Sequence, residues 1–157
     1  MCDWHIEKMR PEHLEQVLAL ESQCFPTLAW DAKCFLYEME ENPFGHYFIG
    51  YLNNEPVGYV GLHIIFETCH ITTIGIHTNF RQQGYGQKML AYALDYTRVF
   101  DVQTVSLEVR VSNTVAKKLY MSFGFQEGTV RKNYFSDNQE VAILMWVKLC
   151  VQKIRIL

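Results

Sequence analysis

The sequence lacks the features of membrane-spanning, secreted and nucleic-acid-binding proteins. No apolar run approaches the ~20 residues that cross a bilayer, and the segment MCDWHIEKMRPEH is charged and has no apolar core. We therefore expect no signal peptide and no membrane partner. The formal net charge of -3 leaves no basic excess for nucleic acid, although it is compatible with a cationic substrate. These absences favour a cytoplasmic protein.

Cysteine is sparse, and no metal-ligand pattern is present. The five cysteines include no CxxC pair, which is typical of reduced thiols rather than of a disulfide framework. His63, His70 and His77 recur every seven residues, a spacing that fits no ligand geometry on strands. Cys69 and His70 are neighbours, so on a strand they point to opposite faces. We expect no metal.

No repeat, low-complexity segment or linker divides the 157 residues, so we expect one domain, residues 1–157. Periodicity predicts a mixed α/β sheet flanked by helices, in the order β-α-α-β-β-β-α-β-α-β-β. Helices are predicted after Pro11, from the N-cap Asp31 to Asn42, after RQQGYG, and after a cap at Asn113 or Ser112. The predicted inner face of the third helix is Met89, Leu90, Ala93 and Leu94, and that of the fourth is Ala116, Leu119, Tyr120 and Phe123. The predicted strands are CDWHIEKM, HYFIGYL, PVGYVGLHIIF, ETCHITTIGIHT, TVSLEVRV, FQEGTVRKNYF and EVAILMWVKL.

Turns and irregularities refine this outline. Asn53-Asn54 predicts a tight hairpin, and Ser136-Asp137-Asn138 predicts the turn between the last two strands. In ETCHITTIGIHT, Ile71 has one parity, while Ile74 and Ile76 have the other. This slip predicts a β-bulge, which bends the strand and can open a gap beside it.

The stretch RQQGYG, Arg81 to Gly86, carries the clearest chemical signal. It joins a strand to a helix, whose N-terminus offers unpaired N–H groups and the positive end of a dipole. Gly84 and Gly86 carry no Cβ that would keep a ligand away, so an anion cradle is predicted. The stretch lacks the third glycine of a dinucleotide fingerprint and the GK[ST] of a P-loop. From the residues alone, a plain tight turn remains an alternative.

RQQGYG resembles the (Q/R)xxGx(G/A) signature of the GNAT superfamily of acetyl-CoA-dependent N-acetyltransferases. LEVRVSNTVAKKLYMSFGFQEGTVRKNYF is similar to the C-terminal half of the bacterial ribosomal-protein alanine N-acetyltransferases (RimI type), and CFPTLAW to their FP…W segment. The likeness runs from about Cys24 to Leu149. It implies a mostly antiparallel sheet with a splayed strand pair and about four helices. It also implies acetyl transfer from acetyl-CoA to an amine, with a protein N-terminus as the leading acceptor and coenzyme A as product.

The resemblance also implies roles for particular residues. Glu108 would be the general base and Tyr120 the general acid, because the amine must lose a proton and the leaving thiolate must gain one. The Ile76 N–H would contact the thioester carbonyl. Tyr134 would contact the peptide. The implied acetyl-CoA-binding residues are Ile74, Gly75, Ile76, Arg81, Gln82, Gln83, Gly84, Tyr85, Gly86, Gln87 and Asn113.

The residues by themselves leave other interpretations open. Glu108 can be an outward residue paired with Arg110, and Tyr120 can be a core aromatic within an apolar helix stripe. Glu38, Glu40 and Glu41 are better explained as a solvated acidic face than as a surface that attracts a basic peptide. Trp30 is better explained as a core residue than as part of the wall of a peptide groove. A small amine, a polyamine or lysine remains an alternative acceptor, and a non-catalytic acetyl-CoA sensor or scaffold is the alternative outside enzymes.

Overall fold

The computed structural model describes residues 3–131 and 141–149. Within them lie seven strands and four α-helices, in the predicted order. Two 3-10 turns, Pro11–His13 and Thr78–Phe80, and one π-helical turn, Tyr37–Glu41, complete the elements. The strands are β1 (Trp4–Lys8), β2 (Gly45–Leu52), β3 (Glu55–Ile65), β4 (Thr68–Ile76), β5 (Thr104–Arg110), β6 (Gln126–Arg131) and β7 (Ala142–Lys148). The helices are α1 (Leu14–Cys24), α2 (Ala32–Leu36), α3 (Tyr85–Arg98) and α4 (Thr114–Ser122).

The strands form one sheet in the order β1-β2-β3-β4-β5-β7-β6, in which β4 and β5 are the parallel neighbours. These two strands pair only at their beginnings, where Thr68–His70 lies beside Thr104–Ser106. Beyond that point β4 continues to Ile76 and β5 to Arg110 without pairing to each other. The predicted splayed pair is confirmed, and a wedge-shaped gap opens between the two strands.

The predicted β-bulge in β4 is also confirmed. Leu62 pairs with Ile71 and Gly61 pairs with Thr73, so Thr72 is the extra residue. A Cβ on Gly61 would collide with the ring of Tyr47, which is why a glycine occupies this position in β3. The extra residue bends β4 at the level where β4 diverges from β5.

The core lies on both faces of the sheet. On one face α3 buries its predicted stripe of Met89, Leu90, Ala93 and Leu94. The α4 stripe is less deeply placed, since Tyr120 is buried but Ala116, Leu119 and Phe123 are only partly so. The opposite face is covered by α1 and α2, through Val17, Leu20 and Phe35, which pack against Tyr47 and Tyr59.

The second helix differs from the prediction. Asp31 is its N-cap, as predicted, and accepts a hydrogen bond from Cys34 N at 3.0 Å. However, the α-helix ends at Leu36 and the chain continues as the π-helical turn. The predicted solvated acidic face is confirmed for Glu40 and Glu41, which are exposed, but is wrong for Glu38, whose side chain is 12% exposed and lies 2.8 Å from Nε2 of His63. The wider π turn directs this carboxylate toward the sheet instead of toward solvent.

Chain reversals follow the local sequence. Asn53 and Asn54 have φ values of 50° and 66°, as a type I′ hairpin requires. Gly124 ends α4 at φ 90°. The predicted turn Ser136–Asp137–Asn138 lies outside the described residues, as does Tyr134. Among the helices of the described residues, none combines the length and apolar character needed to cross a membrane.

Candidate active site

The gap between β4 and β5 is the mouth of a cleft of about 390 Å³. Three parts of the fold build its walls: the end of α1 with the following loop, the bulged part of β4, and β5 with the start of α4. The lining residues are Glu21, Phe25, Leu28, Trp30, His70, Ile71, Thr72, Thr73, Ile74, Leu107, Glu108, Val109, Arg110, Asn113, Ala116 and Tyr120. Both predicted catalytic residues are therefore brought to one cavity.

Glu108 occupies a half-buried position on β5. Its neighbours Leu107 and Val109 are buried in the core against α3, and the two-residue period of the strand directs Glu108 to the opposite side. Its Oε2 atom is buried, and its side chain contributes to the cleft wall. A carboxylate in this position can accept a proton from a group bound in the cleft.

Tyr120 reaches the same cleft from α4 while being only 6% exposed. Its ring packs 5.8 Å from that of Phe125. Burial raises the pKa of its phenol to about 12. The phenol therefore keeps its proton at neutral pH and has one to donate. The core role and the cleft role, which the sequence left as alternatives, are compatible in the structure.

The RQQGYG turn has the backbone of an anion site. Gly84 is the N-cap of α3 at φ 89°, and Gln82 is also left-handed, at φ 60°. The first hydrogen bond of the helix runs from Lys88 N to Gly84 O, at 3.1 Å. The amides of Tyr85, Gly86 and Gln87 consequently have no acceptor within the helix. Together with the helix dipole they fit a diphosphate.

Side chains of this turn mainly brace it. Arg81 Nε donates to the Ile76 carbonyl at 2.9 Å. Gln83 Nε2 donates to the Asn79 carbonyl at 3.0 Å, and the Tyr85 ring lies 5.0 Å from that of Trp4. The cradle is therefore built of backbone more than of side chains.

Gly86 has a structural use that the sequence did not indicate, and Asn113 has the capping role that was one of the two predicted alternatives. A Cβ on Gly86 would lie 3.3 Å from Leu119, so the glycine lets α3 begin close to α4. Asn113 is the α4 cap, with its side chain accepting from Ala116 N at 3.2 Å. It also lines the cleft. Cofactor contact by both residues stays a prediction.

The backbone of β4 presents alternate residues to the gap. The N–H and C=O of one strand residue point the same way. The Ile76 carbonyl accepts from Arg81 and from the Cys24 thiol (3.4 Å), whereas His77 N donates across to Val57 of β3. The Ile76 N–H therefore points away from β3, toward the gap, where a thioester carbonyl is predicted.

Sequence reasoning missed the contribution of α1. Glu21 is 1% exposed, lines the cleft, and accepts a hydrogen bond from the Tyr59 hydroxyl at 2.7 Å. Burial raises the pKa of its carboxyl, although Tyr59 and the nearby Trp30 backbone oppose that effect. Cys24, one turn further, has its pKa raised chiefly by burial, so it is a thiol and a poor nucleophile. No spacing in the sequence distinguishes these residues from ordinary helix positions.

Trp30 combines the two roles that the sequence left open. It packs against Phe35, with ring centroids 5.3 Å apart, and it also lines the cleft. His70 bridges the splayed strands through its Nδ1, 3.0 Å from Ser106 Oγ. Within the described residues no group of three His, Cys, Asp or Glu side chains is arranged to hold a metal ion.

A cleft between splayed parallel strands, bordered by a glycine-opened helix N-terminus, defines an acyl-CoA-dependent N-acetyltransferase. The sequence model of the Acetyltransferase (GNAT) family matches residues 14–125. The chain belongs to this family, and acetyl-CoA is its acyl donor. The resemblance predicted from RQQGYG and the LEVR…NYF block is thus confirmed.

Individual relatives place the chain within the family. A Bacillus subtilis protein with the provisional name ribosomal protein bS18-alanine N-acetyltransferase is 38% identical over 144 residues, covering 92% of this chain and 95% of the relative. The enzyme of that name from Escherichia coli K12 is 30% identical over 135 residues, covering 85% of each. The crystal structure of the ribosomal-protein-S18-alanine N-acetyltransferase from Escherichia coli superposes with a TM-score of 0.85, at 24% identity, and covers 98% of this chain and all of that one. Arabidopsis thaliana Naa50, in complex with the bisubstrate analogue CoA-Ac-MVNAL, shares the fold at a TM-score of 0.81, 21% identity and 93% and 99% coverage.

Proposed function

We propose that this chain acetylates the α-amine at the N-terminus of a protein, and that the alanine N-terminus of a small-subunit ribosomal protein is the first candidate. The names of the relatives from Bacillus subtilis and Escherichia coli support this acceptor. The observation on which the proposal depends is the single cleft that holds both Glu108 and Tyr120. The acceptor is expected in the cytoplasm, and the chain is proposed to act as one domain.

The proposed mechanism is direct transfer in a ternary complex. Acetyl-CoA supplies an activated thioester. The amides of residues 82–87 would hold its diphosphate. The segment Ile74, Gly75 and Ile76 would line its arm, with the backbone groups of Ile74 and Ile76 directed toward it. Glu108, directly or through a water molecule, would take a proton from the amine, and Tyr120 would protonate the departing thiolate. Cys24 is not required, because its thiol stays protonated.

The choice of an α-amine rests on acid–base chemistry. In water the pKa is about 7.7–8.0 for an α-amine and about 10.4 for the lysine side chain. Neutralising them at pH 7 costs roughly 1 and 4–5 kcal/mol, respectively, at about 1.36 kcal/mol per pKa unit. A single carboxylate in the position of Glu108 suffices more readily for the α-amine.

The test is an acetylation assay read by mass spectrometry. The substrates are a peptide with a free N-terminal alanine, the same peptide with its N-terminus formylated, and a panel of small amines and polyamines. We expect one acetyl group on the free N-terminus and none on the formylated control, even when the peptide contains lysine. Acetylation of the small amines alone would reject the proposal. Absence of coenzyme A release with every amine would favour the sensor or scaffold alternative.

A further inference from the structure

Glu21 has a carboxylate oxygen that the fold leaves unused. The side chain extends from the last turn of α1 into the cleft wall and is 1% exposed. Its Oε1 accepts the Tyr59 hydroxyl, whereas its Oε2 is buried and has no partner that meets hydrogen-bond geometry among the described residues; the Trp30 backbone N–H is near enough only to lower the pKa of the carboxyl. A buried polar atom in this state is destabilising, so it requires an explanation.

The position of Glu21 places that oxygen beside the reacting region. Tyr59, its partner, is opposite Gly75 in the register of β3 and β4. A Cβ on Gly75 would lie only 2.9 Å from the Tyr59 hydroxyl. The pair formed by Glu21 and Tyr59 thus lies against the segment of β4 that is predicted to line the acetyl arm. Glu108 and Tyr120 belong to the wall that β5 and α4 contribute to the same cleft.

The residues of this wall indicate which chemical group would bind there. An ionised carboxylate only accepts hydrogen bonds, and it binds most strongly to a cationic donor. Beside Glu21, the loop after α1 contributes the apolar side chains of Phe25, Leu28 and Trp30 to the wall, and β4 contributes the hydroxyls of Thr72 and Thr73. A small ammonium group attached to a short apolar side chain fits these surroundings, whereas an anion would be repelled by the Glu21 carboxylate.

We propose that Oε2 of Glu21 accepts a hydrogen bond from the α-ammonium group of the acceptor peptide and so holds the nitrogen in the cleft while Glu108 removes its proton. This inference rests on the proposed function, because it takes a protein N-terminus as acceptor. Glu21 is then an acceptor-binding residue. The proton passes to Glu108, and Glu21 keeps a hydrogen bond to a remaining N–H of the amine.

The experiment compares two peptides that differ only at the reacting atom. One starts with alanine, and in the other an α-hydroxyl replaces the α-amine. Their affinities are measured by calorimetry at pH 6.5, where the amine is mainly protonated, on protein saturated with coenzyme A. We expect the wild type to prefer the amine by about tenfold, as a charge-assisted hydrogen bond provides. In Glu21→Gln we expect this preference to fall to about twofold or less, with the affinity for acetyl-CoA unchanged.

Tyr59→Phe is the matched control. It removes the hydrogen bond to Oε1 and leaves the carboxylate in place, so the preference for the amine should survive even where stability falls. A Glu21→Gln variant that keeps the tenfold preference would overturn the inference while leaving the proposed function intact. If the wild type binds neither peptide, the proposed function fails and this inference fails with it.

A second measurement does not depend on the folding of a variant. In a crystal structure of the wild type with coenzyme A and the unacetylated peptide, the peptide nitrogen should lie within hydrogen-bonding distance of Glu21 Oε2, about 2.7–3.2 Å. A nitrogen that contacts Glu108 but is beyond about 4.5 Å from Glu21 would exclude direct binding by Glu21.

Discussion

At the scale of single residues, proton removal and proton donation are assigned to two different side chains of the cleft. Glu108 lies on a strand and Tyr120 on a helix, and both line the same cavity. For Glu108→Gln, which keeps the shape but cannot take a proton, we expect kcat at pH 7 to fall about 100-fold, within the usual range for general acid–base catalysis. The loss should shrink toward pH 9–10, because the α-amine (pKa about 8) deprotonates without help there.

Steady-state kinetics over this pH range, with acetyl-CoA affinity measured in parallel, would check the role of Glu108. Unchanged cofactor affinity is the internal control for folding. A loss of kcat that stays constant from pH 7 to pH 10 would mean that Glu108 acts in some way other than as a base.

Tyr120 gives a separate pH prediction. Burial raises its pKa to about 12, so its proton is retained until far above the ordinary tyrosine value of about 10. Activity should therefore rise as the amine is neutralised and then stay level through pH 10.5. Tyr120→Phe should lower kcat at all these pH values while acetyl-CoA affinity is maintained. A wild-type decline centred near pH 10, absent from Tyr120→Phe, would contradict the raised pKa of Tyr120.

Cys24 lies close to the end of β4, yet its chemistry argues against a covalent role. Its pKa is raised chiefly by burial, and its Sγ donates to the Ile76 carbonyl at 3.4 Å. Cys24→Ala should therefore retain activity within about threefold, since one weak hydrogen bond is lost. Intact-mass spectrometry of the wild type after exposure to acetyl-CoA alone should detect no acetylated protein. A stable acetyl adduct that Cys24→Ala abolishes would replace the ternary-complex mechanism.

At the scale of elements, two glycines with the same backbone conformation allow an effect on cofactor binding to be distinguished from an effect on folding. Gly84 (φ 89°) begins α3, and Gly124 (φ 90°) follows α4. Alanine at either position should lower the free energy of unfolding by about 1 kcal/mol or more, because a Cβ disfavours the left-handed region. Only Gly84→Ala should also weaken acetyl-CoA binding, since only that turn presents amides to the diphosphate. Denaturant unfolding and calorimetry on both variants test this expectation, and equal losses of affinity would refute it.

Elements were predictable where local chemistry decides them. The Asn53-Asn54 turn, the Asp31 cap and the bulge near Ile71 follow from the residues themselves, and all three are present. The π-helical turn after Leu36 was not predictable, because its sequence, YEMEE, continues a helical pattern. Its consequence, the contact of Glu38 with His63, joins residues that are 25 positions apart.

The candidate site likewise contains residues that the sequence predicted and one that it did not. RQQGYG and the LEVR block led to the turn, Glu108 and Tyr120, because the family resemblance covers those residues. Glu21 was missed, since it follows Leu20 on α1 and resembles any outward glutamate. Its burial is decided by Tyr59, 38 residues later, through a contact between a helix and the sheet. Local periodicity contains no information about such a contact.

At the scale of the whole molecule, the unused oxygen of Glu21 should reduce global stability at neutral pH. Burial raises the pKa of this carboxyl above its usual 4.5. A raised pKa means that the native state holds this proton more tightly than the unfolded state does, so its contribution to stability is complete below pH 4.5 and is lost as pH rises through the folded-state value. The groups that face Glu21 do not offset the loss: burial also raises the pKa values of Cys24, Tyr47 and Tyr59, which therefore stay uncharged.

Glu21→Gln should consequently be more stable than the wild type at pH 8, and the difference should disappear near pH 4. For a chain of this length, each kcal/mol corresponds to about 2–4 °C in Tm, so paired thermal unfolding at the two pH values would resolve it. Tyr59→Phe, which keeps the carboxylate, should show no such gain at pH 8. A purely structural Glu21 would instead lose stability together with peptide binding in Glu21→Gln. A variant that gains stability while losing discrimination for the amine would identify a residue retained for substrate binding at the expense of the fold.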